Sequence, residues 1–145
     1  MGTKKVWLRS HVERGLMEIW QTPTLVRDHD GDYPYRGQTS MAWVAIDTAT
    51  KPWMINVVAQ AARGVPRTVK VLREINELNG RARAVKVFWQ QGFVTVQHSL
   101  LADAVTVRSL RHAVDGVTGV ADDIGPMFAA LHDAETMFPA EVSSP

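Results

Sequence analysis

Cysteine is absent from the 145-residue chain. That excludes a disulfide framework, a thiolate nucleophile and a sulfur-bound metal. A surplus of charge is also absent, since 16 basic and 15 acidic residues leave a net +1. Strong nucleic-acid affinity needs several clustered, unopposed cations, so nucleic acid is not an expected partner. The local run Arg63, Arg67, Lys70, Arg73, Arg81, Arg83 and Lys86 reads as a solvated helix face and the turn after it. No apolar run approaches the ~20 residues that cross a bilayer, and no membrane partner is expected. The basic start Met1 to Lys5 is followed by a stretch broken by Arg9, Glu13, Arg14 and Glu18, so no signal peptide is expected. Cytoplasmic residence is the expectation.

The patterns of catalysis are missing as well. No G-x-S-x-G elbow, dinucleotide fingerprint or phosphate-binding loop occurs. The five histidines, at 11, 29, 98, 112 and 132, include no pair four apart on a helix, which zinc sites commonly use. Asp28, Asp30 and Asp32 open like a calcium loop. The sixth position is Tyr33 instead of glycine, and the twelfth is Thr39 instead of glutamate, so the bend and the bidentate ligand are lost. Asp122 and Asp123 are adjacent, and adjacent helix residues diverge. The expectation is a non-enzyme without metal or cofactor. The rival is a small-ligand or enzymatic domain using His98, Asp28 or Asp32, which predicts a deep pocket with converging polar groups.

What is present suits one domain. With 46% hydrophobic and 21% charged residues the composition is globular, and a chain this long hides roughly 70% of its unfolded surface. Leu8, Val12, Leu16, Ile19 and Trp20 recur at helical steps between Val6 and Trp20. Leu25 to Tyr33 contains Asp30-Gly31 and predicts a hairpin or strand-turn, with Gly37 to Ser40 as loop. Met41 to Asp47 and Trp53 to Gln60 predict two strands. Val69, Leu72, Ile75 and Leu78 predict a short helix face ended near Gly80, with Asn79 in its cap and Asn76 bonded to the following loop. Val85 to Trp89 and Phe93 to His98 flank Gln90-Gln91-Gly92 as a second hairpin. Val107, Leu110, Val114, Val117, Ala121, Ile124, Phe128 and Leu131 step by three and four without a miss, while Pro126 predicts two helical halves. The result is an α+β domain, residues 1–138, with a frayed tail over 139–145. Its largely antiparallel sheet has helices on one face.

Five tryptophans are an abundance of a residue enriched at binding hot spots. Trp7 is out of phase with Leu8, Val12 and Leu16, which predicts an exposed anchor. Trp53 follows Pro52 at a strand start and predicts a surface edge. Trp43 and Trp89 complete the candidate partner-binding set.

Several segments resemble the YbjN-like and type III secretion chaperone-like group, most closely the actinobacterial TY-Chap branch of peptide-binding chaperones. They are Asp28-His29-Asp30-Gly31-Asp32, Ala42-Trp43-Val44, Val57-Val58-Ala59 with Gly64-Val65, Leu72 to Asn79, Gly92 to Val96, and Ala121-Asp122. The likeness runs from about residue 22 to 138. It implies a five-stranded antiparallel sheet in the order α-β-β-β-α-β-β-α and a chaperone-like or adaptor role without turnover. The implied partner is a protein or peptide client, held as a strand on a sheet face or edge or as a helix in an apolar groove. A homodimer is consistent with this group.

Overall fold

The computed structural model describes residues 2–140; of the expected frayed tail, residues 141–145 lie outside them. The first helix, α1 (Gly2–Trp20), starts four residues earlier than the apolar stripe implies. Its buried residues are Leu8, Val12, Gly15 and Leu16. Gly15 is no defect there. A Cβ on it would stand 3.2 Å from Leu110 Cδ2 on the last helix, so glycine lets the two helices approach closely.

Leu25 to Asp32 forms a turn without a strand of its own and the strand begins at Tyr33, which corrects the hairpin but keeps the turn of the expected hairpin or strand-turn. Asp28 holds it locally: its Oδ1 accepts from the amides of Asp30 (2.9 Å) and Asp32 (3.0 Å). Side-chain bonds of this kind compete with strand pairing. Gly31 takes φ +83°, a conformation that glycine adopts at little cost.

The strands are β1 (Tyr33–Arg36), β2 (Met41–Asp47), β3 (Met54–Ala62), β4 (Lys86–Gln90) and β5 (Phe93–Leu101). They form one antiparallel sheet in the order β1-β2-β3-β5-β4. The β4–β5 turn places Gln91 at φ 51° and Gly92 at φ 85°, the doubly positive pair that matches strand twist. Cross-strand register lines up Tyr35, Ala42, Ala59, Val96 and Val87 in one row. All but Tyr35 are buried, as one-sided covering of a period-two strand demands. The helices supply that cover. The long helix α3 (Val107–Leu131) lies over β3 and β5, α1 packs on α3, and α2 (Val69–Arg81) runs beside β4.

Two expectations about these helices are corrected. Helix α3 is a single 25-residue element despite Pro126. Proline removes one donor, but buried residues on both sides of it, from Leu110 to Phe128, keep the helix seated on the sheet. Gly125 also serves this seating, because a Cβ there would overlap the Ala61 carbonyl. In α2 the buried face is Val71 and Ile75 with Leu78 beside them, whereas Val69 is 71% and Leu72 42% exposed. Gly80 lies inside the helix, which ends at Arg81 with Ala82 as cap.

Asn79 is not part of that cap. Its side chain donates to the Val87 carbonyl and accepts from the Val87 amide, both at 2.8 Å. It therefore occupies outward-facing groups of the edge strand β4, the groups that would otherwise template a foreign strand. At the opposite edge β1 has only four residues and includes Pro34.

Asp122 clamps the other end of the sheet. Its carboxylate accepts from the amides of Gln38, Thr39 and Ser40 and from the Ser40 hydroxyl, at 2.8–3.0 Å. Burial alone would raise this carboxyl. The backbone donors and the Ser40 hydroxyl outweigh it and hold the group below the ordinary carboxylate range. A Cβ on Gly37 would sit 2.8 Å from the same oxygens, which explains glycine in this turn.

Two measurements follow from these contacts. Asn79→Ala should cost about 1–2 kcal/mol through two lost hydrogen bonds, roughly 3–6 °C in Tm, and should promote self-association through the bared edge. Unchanged melting and monodisperse scattering would contradict this. Asp122→Asn should lower stability at pH 7 by about 2–4 kcal/mol, because charged bonds are lost and several donors are left facing an amide. Asp122 has a folded-state pKa below its unfolded value of about 3.9, so its stabilisation is complete above that value and lost as pH falls through the folded one. Urea midpoints at pH 7, 4 and 2.5 should therefore converge for wild type and variant; a constant gap would overturn the assignment.

Candidate functional site

Helix phase decides what α1 shows to solvent. Leu8, Val12 and Leu16 face α3, which turns Trp7 outward, and it is 56% exposed. One turn earlier Lys4 points along the same side. Across from them the β2–β3 turn brings Lys51, Pro52 and Trp53, and the 3₁₀ turn Ala102–Ala104 after β5 closes the third side. The three segments enclose an apolar cleft of about 450 Å³, within the size range of ligand-binding clefts. Trp7, Leu8, Pro52, Trp53 and Ala102 form its walls, and Lys4, Lys51 and Asp103 lie at its rim.

The walls are fixed by specific contacts. Trp7 stacks on His11 with ring centroids 5.0 Å apart and planes 8° from parallel. His11 Nε2 lies 2.9 Å from the Val105 carbonyl; a carbonyl only accepts, so Nε2 carries the hydrogen. On the facing wall the Ala102 amide donates to the Trp53 carbonyl at 2.9 Å, and the Trp53 ring packs against the core. Lys5 Nζ stands 6.0 Å from the centre of that ring. Both indoles are positioned before any ligand arrives.

Trp7 and Trp53, 46 positions apart in sequence, thus meet at one cleft. Trp43 lies elsewhere. It pairs with Pro34 and Val58 on the sheet face opposite the helices, where Met41, Met54, Val58 and Phe88 also keep part of their surface exposed. Trp89 faces the core, and its indole N–H donates to the Val65 carbonyl at 2.8 Å. The alternation of a strand gives the side of each residue, but not the meeting of α1 with the β2–β3 turn. Ala102, Asp103 and Lys51 went unnoticed in the sequence because nothing local distinguishes them.

The polar residues of the rival reading are not assembled. Tyr33, Val44, Val57 and His98 form one cross-strand row. Three strand spacings, about 14 Å, separate its ends, and Asp28 and Asp32 belong to the turn before Tyr33. Carboxylate oxygens of Asp28, Asp30 and Asp32 do approach within 4.8 Å of one another, but one Asp28 oxygen is already occupied by two backbone amides. Burial, followed by the charges of Asp28 and Asp30, raises the Asp32 carboxyl. The neighbouring Tyr33 is tied to α1: Arg9 donates to its hydroxyl at 2.7 Å, and the hydroxyl donates to Glu13 at 2.9 Å. Burial and the Glu13 bond push this phenol up. The arrangement anchors a turn. In the basic run, Arg63 pairs with Glu135 at 3.0 Å, and the other six side chains are exposed. No helix among the described residues is long and apolar enough to cross a membrane.

Comparison with known proteins agrees with this architecture. No curated protein matches. Similar solved structures include a chain of the ExsC-ExsE complex and one of the HopA1-SchA chaperone-effector complex. The first has a TM-score of 0.65 at 14% identity, over 82% of this chain and 94% of that one. The second has a TM-score of 0.66 at 10% identity, over 83% and 94%. At such identities the likeness is one of fold, and it is the five-stranded antiparallel sheet with three helices described above. The family model "T3SS (YopN, CesT) and YbjN peptide-binding chaperone 1" matches residues 6–140. The chain belongs to that family, TY-Chap1.

Proposed function

We propose that the protein is a non-enzymatic chaperone-like domain that holds a segment of a partner polypeptide, with the Trp7–Trp53 cleft as its principal anchor site. The observation that carries this reading is the cleft itself: two ordered indoles line one apolar cleft at the surface. Exposed aromatic area of this kind is where binding energy concentrates. Pairing of a foreign strand on a sheet edge is the less favoured mode. Asn79 fills the Val87 groups of one edge, and the other edge is short and contains proline. Docking into a cleft or on the open sheet face around Trp43 leaves those edges undisturbed. Trp89, bonded to Val65, supports the scaffold in this reading. Chains of the ExsC-ExsE and HopA1-SchA chaperone-effector complexes share this fold, which suits a polypeptide client here.

Self-association is a second part of the reading. Val69 and Leu72 stand out from α2 into solvent, and isolated apolar residues on a helix beside a sheet edge suit a small homodimer contact. Cytoplasmic residence completes the proposal and accords with the absence of cysteine.

Selection from a random peptide library, followed by anisotropy titration of the enriched peptides, tests the anchor. Trp7→Ala should weaken binding by about tenfold or more, as truncation of a hot-spot residue does. It should leave stability within about 0.5 kcal/mol because the side chain is mainly exposed. Trp53→Ala should weaken binding similarly and also cost about 1–3 kcal/mol of stability. No enrichment, or full binding by Trp7→Ala, would overturn the cleft as the site.

A further inference from the structure

Lysines crowd the mouth of the apolar cleft. Lys4 and Lys51 line it, and Lys5 stands over the Trp53 ring. All three are exposed. None takes part in an ion pair among the described residues, where the pairs are His29–Asp30, Arg63–Glu135 and His132–Glu74. Among the described residues Asp103 is the one carboxylate lining the cleft. The two lining lysines with Lys5 beside them, against this one aspartate, leave a local surplus of positive charge. The mouth of the cleft is therefore locally basic.

We propose that the cleft selects a polypeptide segment in which an aromatic or large aliphatic side chain is flanked by aspartate or glutamate. The proposal rests on the peptide-binding reading above and adds the chemistry of the client. The apolar side chain enters between Trp7 and Trp53, and its neighbouring carboxylates meet Lys4, Lys5 and Lys51 at the rim. A cleft of about 450 Å³ suits one or two side chains, not a whole helix. The recognition unit is accordingly a short linear segment. Complementary rim charge chiefly sets partner choice and encounter rate, so a basic or uncharged segment with the same anchor binds less well. Surface lysines are screened by salt, which makes the preference depend on ionic strength.

The test uses the full chain and fluorescein-labelled hexapeptides read by anisotropy. The acidic probe is Asp-Glu-Leu-Phe-Asp-Glu, and its neutral counterpart is Asn-Gln-Leu-Phe-Asn-Gln. A third peptide, Asp-Glu-Ser-Ser-Asp-Glu, lacks the apolar anchor. The acidic probe should bind about tenfold more tightly than the neutral one in 50 mM salt, as a few exposed ion pairs allow. The gap should close in 500 mM salt. The variant Lys4→Gln/Lys5→Gln/Lys51→Gln should lose the gap yet keep its affinity for the neutral probe, and the anchorless peptide should not bind. Equal affinities for acidic and neutral probes would overturn the acidic preference and leave the peptide-binding reading standing. Absence of binding by every peptide would overturn both. Binding of decanoate at Trp7 and Trp53 without any peptide binding would make the cleft a site for anionic lipid and refute the proposal.

Discussion

The seating of α3 on β3 is the constraint from which the rest of the molecule follows. Gly125 stands so close to the Ala61 carbonyl that no side chain could fit between them. Ala42 and Ala59 are the small buried residues of the same sheet face. Close approach lets Leu110, Val117, Ile124 and Phe128 fill the remaining space at interior density. Asp122 then fixes the helix lengthwise, because its carboxylate must reach the amides of Gln38, Thr39 and Ser40. Without both contacts the helix could slide or rotate on a surface of similar apolar residues. Hydrophobic burial is non-directional, so a directional clamp is needed to select one register.

The position of α1 is inherited from that register. Gly15 meets Leu110 and Val107, and Arg9 and Glu13 grip Tyr33 at the start of β1. With both contacts satisfied, the first turns of α1 reach towards the β2–β3 turn. Trp7 is then carried to within reach of Trp53. The cleft is thus a consequence of helix packing and not of a loop with freedom of its own. A single helical layer also leaves the second sheet face around Trp43 in contact with solvent. Edge protection by Asn79 then becomes physically necessary, since an open face beside an open edge would invite indiscriminate pairing.

How much of this could be read from the residues depends on whether a property is local. Strand β2 matched its expected limits because alternation and β-branched content act within seven residues. Helix α3 showed its stripe because eight apolar residues kept phase, although Val107 and Leu131 at its ends escape full burial. The buried face of α2 departs from the expected one. Val69 and Leu72 are apolar but point away from the core, and with only four turns the stripe through Val71, Ile75 and Leu78 was no better marked. Asp122 and Asn79 are short polar side chains whose partners lie 82–84 and eight residues away. Helix phase indicated that Trp7 would be exposed. That it should face Trp53 is a tertiary fact, set by the clamp on α3, and no pattern within α1 records it.

Rigidity is the last link between this scaffold and recognition. Binding a flexible segment costs side-chain and backbone entropy on both partners. Here the protein's share is already spent on folding, because Trp7 is stacked on His11 and His11 is bonded to Val105. Trp53 is fixed at its backbone by Ala102. In the proposed mode the client alone must be ordered, and an extended segment with one strong anchor orders few residues. Such a site can hold a polypeptide without demanding that it fold, which is the physical requirement for a chaperone-like domain. The open face around Trp43 can add area once the anchor is set. Its flat, partly exposed apolar residues offer little orientation by themselves, so in the proposed mode orientation would come from the cleft.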